Sequence, residues 1–388
     1  MRILFSANAF PHESNQFAAF IKVICEEFIR QGHEVTVIAP QSVSRVLLHS
    51  DKILPYSTKY EVNTEMGVGY IKVIRPYSFS TGYGRLLKYT YKFNKLAFER
   101  VAKRLVNEFD IIYAHFWTSA YNAVDIAIKY KIPLYVTTGE DQIQIGKVLL
   151  NEEVNKLRQS IHGVICVSTK NKDESFRLGL TDLRNSIVIP NAISQNEFFL
   201  KDKLECRRNL GFPEDTFIVS YCGRFIERKG VKRVSDAIKI LNDPKVKSIF
   251  IGQNVQNQKV QPDCEGILYK GPLPHNQIVN YLNAADVFVL PTLAEGCSNS
   301  IIEAMACGLP IISSDLPFNY DILNEDNAIL VDPMNVEEIA SAIKRIKDDK
   351  DLYKRMSNAS LQKASEMTIE KRVNKILEFI NQKKCSKK

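Results

Sequence analysis

The chain reads as an α/β protein of two successive doubly wound units, each a mostly parallel sheet with helices on both faces. Three observations predict this. The 388 residues, 45% of them apolar and 25% charged, are too many for one ordinary core at roughly 100–200 residues per domain. Short apolar runs alternate with stretches of helical period, the pattern of strand–helix–strand crossovers. The alternation is interrupted once, by a Pro-Asn turn and a polar stretch, and then begins again.

In the first half the apolar runs fall at residues 3–7, 35–39, 71–74, 111–114, 134–137, 164–167 and 187–189. Residues 17–30 repeat differently: Phe17, Phe20, Ile21, Ile24 and Phe28 share one helical face. Gly32 stops that helix. Pro190-Asn191 closes the series, and residues 194–215 read as a polar link. A strand at Phe217–Cys222 and a helix at 232–241 follow. Further runs lie at 248–251, 267–269, 278–282, 287–290, 301–306, 311–312 and 329–331, with helices from Val336 onward. The expected domains are 1–192 and 193–367.

Lys and Arg total 52 against 44 Asp and Glu, a net charge of +8. Residues 1–192 carry +6, residues 193–370 carry −4, and residues 371–388 carry +6. Nine basic residues and a single acidic one, Glu99, lie within 70–104. Nucleic acid is not the implied partner, because there is no zinc-finger spacing and no basic-zipper heptad. No run approaches the ~20 apolar residues of a spanning helix. The opening strand turns polar at Ser6 and Asn8, so no signal peptide is expected and a cytoplasmic protein is. The eight cysteines include no C-x-x-C pair, against zinc and redox chemistry. Cys25, Cys166 and Cys222 sit in apolar runs as plain buried thiols.

A nicotinamide dehydrogenase is also excluded. Its first strand would lead into G-x-G-x-x-G; here Ser6-Ala7-Asn8-Ala9-Phe10-Pro11-His12-Glu13-Ser14 holds no glycine. No G-x-x-x-x-G-K-[ST] loop occurs either, so any phosphate is held another way.

Two clusters carry candidate chemistry. The first is Gly223-Arg224-Phe225-Ile226-Glu227-Arg228-Lys229-Gly230, directly after the strand Phe217–Cys222. Open α/β sheets bind ligands at that edge. Arg offers a planar fork for phosphate and Lys a point charge, and the following helix adds a positive N-terminus. A solvated basic turn would have the same residues. The second runs from Pro291 to Pro310, a strand leading through a loop into a helix. Glu295 falls in the loop and Glu303 about one turn into the helix. Gly296 permits close backbone approach, and the amides of Cys297, Ser298 and Asn299 make a helix-start anion site. Carboxylates suit sugar hydroxyls, although Glu303 could simply pack or cap the helix.

Together the clusters resemble the retaining glycosyltransferases of the GT-B fold, family four, and are similar to those of teichuronic-acid and exopolysaccharide biosynthesis. That family's signature is E-x7-E followed by A-M-A-x-G-x-P, and Glu295 to Pro310 fits it without a gap. Gly223 to Gly230 fits its G-R-…-K-G element. Ala284 to Pro291, the Gly32-His33-Glu34-Val35 turn and Val188-Ile189-Pro190-Asn191 match as well.

The resemblance implies two Rossmann-like domains facing across a cleft that closes on the donor. The last helix, residues 368–388, would pack back on the first domain through Val373, Ile376, Leu377 and Ile380. It implies a hexosyl-transferring enzyme of cell-surface polysaccharide synthesis. A UDP- or GDP-linked sugar is the co-substrate, a glycan or lipid-linked molecule the acceptor, and no cofactor is expected. Arg224 and Lys229 would bind the diphosphate and Glu303 the ribose hydroxyls. Glu295, with the amides of Gly296 to Asn299, would hold the donor sugar and phosphate. His115, in Tyr113-Ala114-His115-Phe116-Trp117, would face that sugar. No residue is an evident nucleophile, which favours front-face attack, and no convincing Asp-x-Asp pair suggests a metal.

The sequence departs from the family at Ser14-Asn15-Gln16, where a Gly-Gly loop is usual. It departs again at Thr138-Gly139-Glu140-Asp141, which lacks the usual histidine, at Gly252-Gln253-Asn254-Val255 and at Pro190-Asn191-Ala192-Ile193-Ser194. By the resemblance the first two lie on the acceptor side or over the phosphates, and Asn15, Gln16 and Asp141 are the acceptor-side candidates. A nucleotide-sugar epimerase and a non-catalytic nucleotide-sugar-binding subunit are the rival readings. Finally, residues 84–105 form an amphipathic basic helix with Leu87, Tyr91, Phe98, Val101 and Leu105 on one face. That pattern suits peripheral membrane contact, and equally a packing helix with a basic rim.

Overall fold

The computed structural model describes residues 1–12, 19–44, 52–81, 86–254 and 260–385. The chain divides into two compact units, Met1–Ile189 with the segment from Arg372 onward, and Pro190–Lys371.

The first unit contains β1 (Arg2–Ser6), β2 (Glu34–Ile38), β3 (Gln41–Ser42), β4 (Ser57–Thr64), β5 (Gly67–Ile74), β6 (Tyr77–Ser78), β7 (Ile111–His115), β8 (Leu134–Thr138), β9 (Ile161–Cys166) and β10 (Ser186–Val188). Eight of them form one sheet in the order β10-β9-β8-β7-β1-β2-β5-β4. Every residue of β7 and β8 is buried, because helices cover both faces of a parallel sheet. That is why these strands read as unbroken apolar runs. The hairpin β4–β5 is antiparallel and forms the sheet's edge. No apolar run marks β4, whose STKYEVNT is polar and largely exposed.

Strand order reverses between β1 and β7. From β1 the chain proceeds outward to β2, and from β7 outward the other way to β8. Loops leaving the two carboxyl ends therefore part, and a crevice opens where they do. His115 is the last residue of β7.

The helix Leu87–Leu105 packs on Trp117–Tyr130, with Phe98 and Ala102 fully buried and Val101 nearly so. The stripe that the sequence marks for a membrane is thus the stripe facing the core. Leu86, Tyr89, Phe93 and Leu96 point outward instead. Gly84 and Arg85 lie outside the described residues. The C-terminal helix Ile369–Cys385 buries Val373, Ile376 and Ile380 completely. Tyr135 donates its hydroxyl to the Ile380 carbonyl at 3.3 Å. Phe379 lies so close to Gly163 that a Cβ there would stand 2.6 Å from its ring.

The second unit contains β11 (Phe217–Cys222), β12 (Val246–Ile251), β13 (Ile267–Gly271), β14 (Val287–Leu290), β15 (Ile311–Ser314) and β16 (Ala328–Val331). They form a wholly parallel sheet in the order β13-β12-β11-β14-β15-β16. Order reverses between β11 and β14, the two strands that lead into the candidate clusters.

The polar stretch 194–215 is no simple link, because it holds the helix Lys203–Leu210. Asp202 caps it by accepting from the Glu205 amide at 2.7 Å, and Gly211 closes it at φ 69°. Buried Arg207 pairs with Asp286 at 2.5 Å and donates to the carbonyls of Ala284, Glu214 and Thr216. Asp286 in turn accepts from the Ile218 amide at 2.7 Å. Breaking such a buried pair by removing one partner costs about 3–5 kcal/mol. Cys25 and Cys166 are buried, and burial pushes the Cys166 thiol up to about 12. Cys222 is only half-buried.

Trp117 is the single tryptophan and is fully buried in the first unit, so its fluorescence reports that unit. Ile376→Ala should lower the stability it reports by about 2–5 kcal/mol through cavity formation. Glu378→Ala, on the exposed face of the same helix, should change it by less than about 0.5 kcal/mol. Denaturant titration followed at Trp117 measures both.

Candidate active site

At the carboxyl end of β11 the chain crosses the end of β12. The Gly223 amide donates to the Ile251 carbonyl and the Phe225 amide to the Gln253 carbonyl, each at 2.9 Å. Gly252 sits at φ 151°, and a Cβ on it would lie 1.9 Å from the Gly223 carbonyl oxygen. The loop then reaches the neighbouring one after β14. The Leu293 amide donates to the Arg228 carbonyl at 2.9 Å, and Arg228 Nη1 donates to the Ala294 carbonyl. Gly230 stands at φ 80°, where a Cβ would meet the Pro291 carbonyl oxygen at 2.6 Å. Buried Arg233 locks the junction, donating from Nη2 to Pro291 O at 2.9 Å and from Nη1 to Glu227 at 3.1 Å.

Within this frame Lys229 Nζ forms an ion pair with Glu295 Oε1, both side chains largely buried. The Thr292 hydroxyl donates to the same oxygen at 3.3 Å. A buried charge needs such a partner. Lys229 and Glu295, chosen from separate motifs, are therefore one unit. The Arg224 side chain is exposed, and its carbonyl accepts from the Tyr221 hydroxyl and the Ile226 amide, each at 3.0 Å.

Gly296 leads into the helix Asn299–Ala306. Its N-cap residue Ser298 makes no side-chain cap, and its hydroxyl pairs with that of Ser300 at 3.1 Å. The first amides of a helix have no intrahelical acceptor, and a helix start of this kind can receive an anion. Asn191 steadies it, donating to the Cys297 carbonyl at 3.1 Å and to Asn299 Oδ1 at 2.9 Å. Cys297 itself is buried. Glu303, 8% exposed, meets His275 Nε2 at 3.3 Å. Cys222 lies in the field of both Glu303 and Lys229. Burial, chiefly, and then the Glu303 charge raise its thiol pKa, while Lys229 lowers it.

In the first unit His115 ends β7, buried, with Nδ1 unpartnered among the described residues. The rings of Phe20 and Phe116 flank it with centroids at 4.8 and 4.4 Å. Burial, with Arg372 adding to it, lowers its pKa to about 3, so the imidazole is neutral. Phe116 turns the chain at φ 74°, a value that strains a bulky residue. The turn is held by Glu140, which accepts from the Trp117 amide at 2.9 Å, the Thr138 hydroxyl at 2.5 Å and the Gly139 amide at 3.0 Å. Burial nevertheless raises the Glu140 pKa. Asp141 shows its carbonyl to Lys170 at 2.5 Å. Asn15 and Gln16 lie outside the described residues.

The sequence reading missed Asn191, Thr292, Glu140 and His275 as candidate site residues, and took Arg228 only as one base of the loop after β11. Asn191 had a signal in the Pro-Asn turn. His275 had none, being a lone histidine 28 positions before its partner. Among the described residues, no group of three or more His, Cys, Asp or Glu is placed to hold a metal ion. Among them too, no helix is long and apolar enough to cross a membrane.

Two family models match the chain: Glycosyltransferase Family 4 over residues 18–197, and Glycosyl transferases group 1 over residues 202–363. The putative teichuronic acid biosynthesis glycosyltransferase TuaC of Bacillus subtilis is 26% identical over 359 residues, covering 89% of each chain. The UDP-Gal:alpha-D-GlcNAc-diphosphoundecaprenol alpha-1,3-galactosyltransferase of Escherichia coli is 29% identical over 230 residues, 55% of this chain and 58% of that one. Among solved structures, sucrose-phosphate synthase from Thermosynechococcus elongatus superposes with a TM-score of 0.78 at 18% identity, covering 99% of both chains. Anabaena HepE in complex with UDP-glucose gives 0.71 at 17% identity, covering 98% of this chain and 100% of that one. These two show the fold alone. The chain belongs to the family-four glycosyltransferases of the GT-B fold, and it is a transferase of class EC 2.4.

The His115 environment has a pH consequence. Its folded-state value of about 3 lies below the ordinary 6.5, so the unfolded chain takes up this proton first as pH falls. The stability contributed by the neutral ring is whole above the ordinary value and is lost as pH drops toward about 3. In His115→Phe the acid-induced loss of first-unit stability should be smaller than in wild type. Trp117 fluorescence against denaturant at a series of pH values measures it.

Proposed function

We propose that this enzyme moves a sugar, with retention and without metal, from a nucleoside diphosphate donor to a glycan or lipid-linked acceptor of cell-surface polysaccharide synthesis. One observation carries the reading: the Lys229–Glu295 pair stands at an uncapped helix start on the switch point of the second sheet, with Glu303 farther along that helix. A diphosphate needs cations and oriented amides, and a sugar or ribose needs carboxylate acceptors. The printed names of relatives support the same classes. The Escherichia coli enzyme uses UDP-galactose on a diphosphoundecaprenol acceptor, and HepE holds UDP-glucose.

The chemistry follows from charge. As the bond from the anomeric carbon to the diphosphate oxygen breaks, negative charge grows on the leaving group and positive charge on the sugar ring. Lys229, exposed Arg224 and the amides from Gly296 to Asn299 answer the first. Preorganised donors of this kind are worth about 3–4 kcal/mol each at a developing anion. Glu295 holds both Lys229 and the donor sugar. The acceptor oxygen attacks on the face the diphosphate leaves, and its proton passes to the departing phosphate oxygen. We assign neutral His115 to the donor sugar's hydroxyls. Asp141, Asn15 and Gln16 belong to acceptor binding.

Arg224→Ala, Lys229→Ala and Glu303→Ala should each lower turnover of the nucleotide sugar by about a hundredfold or more. A panel of UDP- and GDP-linked sugars screened by thermal shift identifies the donor for that assay, since a bound ligand raises the melting temperature. Product analysis with and without acceptor completes it. Wild-type rates in all three variants would sink the assignment, and donor isomerised without transfer would make the protein an epimerase.

The acceptor's setting draws on the outward face of Leu87–Leu105. Tyr89, Phe93 and Leu96 lie exposed beside Lys88, Lys92 and Arg100. Basic residues at an anionic surface contribute about 1 kcal/mol each. The enzyme should sediment with anionic vesicles and stay in the supernatant with neutral ones. Lys88→Glu with Lys92→Glu should weaken that binding by at least about tenfold. Equal recovery from both vesicle types rejects peripheral contact.

A further inference from the structure

One titratable group beside the donor site has no part in the scheme above. His275 is the first residue of the helix His275–Ala284. Its Nε2 lies 3.3 Å from Glu303 Oε1, and its Nδ1 lies 3.8 Å from Glu197 Oε2. The ring stands edge-on to Phe198, centroids 5.1 Å apart. Two carboxylates therefore face one imidazole from two sides, one on the helix Asn299–Ala306 and one on the turn before Phe198. Its own helix carries no charged side chain and presents its positive end to the ring. The carboxylates outweigh that end. The hydrogen bond to Glu303, first, and then the charges of Glu303 and Glu197 raise the His275 pKa above the ordinary 6.5, against burial.

Glu303 is nearly buried, and burial, chiefly, and then its charge raise the pKa values of Cys222 and Cys307 beside it. A carboxylate in such surroundings needs a partner to stay charged and in place. Among the described residues His275 is its only ionic partner, and it takes a single oxygen, Oε1. The other oxygen is left for a ligand.

We propose that His275 is a positioning residue for the donor. As imidazolium it pins one oxygen of Glu303 so that the other accepts from the vicinal hydroxyls of the donor ribose, with Glu197 as the counter-charge that keeps the ring protonated. This rests on the assignment of Glu303 to the ribose. Donor affinity is then full below the raised pKa of His275 and falls as pH rises through it, because the neutral ring holds Glu303 by a weaker, uncharged bond. The effect belongs to binding. It should move KM for the donor and leave kcat at saturating donor nearly unchanged, which loss of a catalytic group would not do.

The test is calorimetric titration with UDP-glucose and GDP-mannose between about pH 5.5 and 8.5, a range in which the diphosphate diester of either probe does not ionise. Wild-type affinity for the probe that binds should fall by about tenfold across that range. His275→Gln should bind about tenfold more weakly at the acid end and show no limb. Glu197→Gln should keep the acid-end affinity and shift the limb to lower pH. Histidine NMR on the unliganded protein should place the His275 midpoint above the ordinary value and find it lowered in Glu303→Gln. If His275→Gln keeps the wild-type pH profile, the role of His275 is overturned while the donor reading stands. If neither probe binds wild type at any pH, the donor reading fails and this inference with it.

Discussion

The joining of two loops at the switch point of the second sheet is the constraint on which the candidate site depends. Strand order alone brings the ends of β11 and β14 side by side and sends their loops apart. Divergent loops would ordinarily be mobile. Here they are tied by main-chain contact, Arg228 to Leu293 and Ala294, and by Arg233 bonding one strand's loop to the other's Pro291. Gly230 permits that approach, since no other residue has both the left-handed backbone and the missing Cβ that the Pro291 carbonyl requires. Lys229 and Glu295 meet because these two loops are held together.

Electrostatics follow from that geometry. In the free protein the candidate cations and acids are already matched, Lys229 with Glu295 and His275 with Glu303. Lys229 is neutralised on one side by Glu295, and the guanidinium of Arg224 in the same loop is exposed. The first unit offers the opposite chemistry. Its switch point presents an uncharged, desolvated histidine on a strained turn, and the anion that fixes the turn, Glu140, is spent on backbone amides and the Thr138 hydroxyl.

Much of this could be read from the sequence, for identifiable reasons. Parallel strands such as β7 and β8 are buried on both faces, so they announce themselves as apolar runs. The two clusters were found because glycines, bases and acids crowd into short stretches after strands. What escaped is what depends on partners distant along the chain. The edge strand β4 is polar and becomes a strand only because β5 lies beside it. Residues 194–215 look like a link because Arg207 is charged; its burial is explained by Asp286, 79 positions on. The basic helix shows two apolar stripes, and only packing against Trp117–Tyr130 decides which is inside. His275 gives no local sign, and the substitution of threonine for a family histidine at Thr138 says nothing about the turn that Glu140, two positions on, supports.

The crossing of Gly252 over Gly223 has a consequence for anyone who would exchange parts between such enzymes. The two residues belong to different strand–loop units, yet they occupy one space, and Gly230 stands in the same relation to Pro291. Segments 223–230, 252–254 and 291–298 therefore behave as a single block of inheritance. A chimera cut between them joins loops that were never fitted to each other, and replacing one loop alone to alter donor preference breaks a fit that the other two retain. Swaps that carry all three together keep the junction intact, and single-site diversity is best placed at Gln253, which leaves those three glycines unchanged.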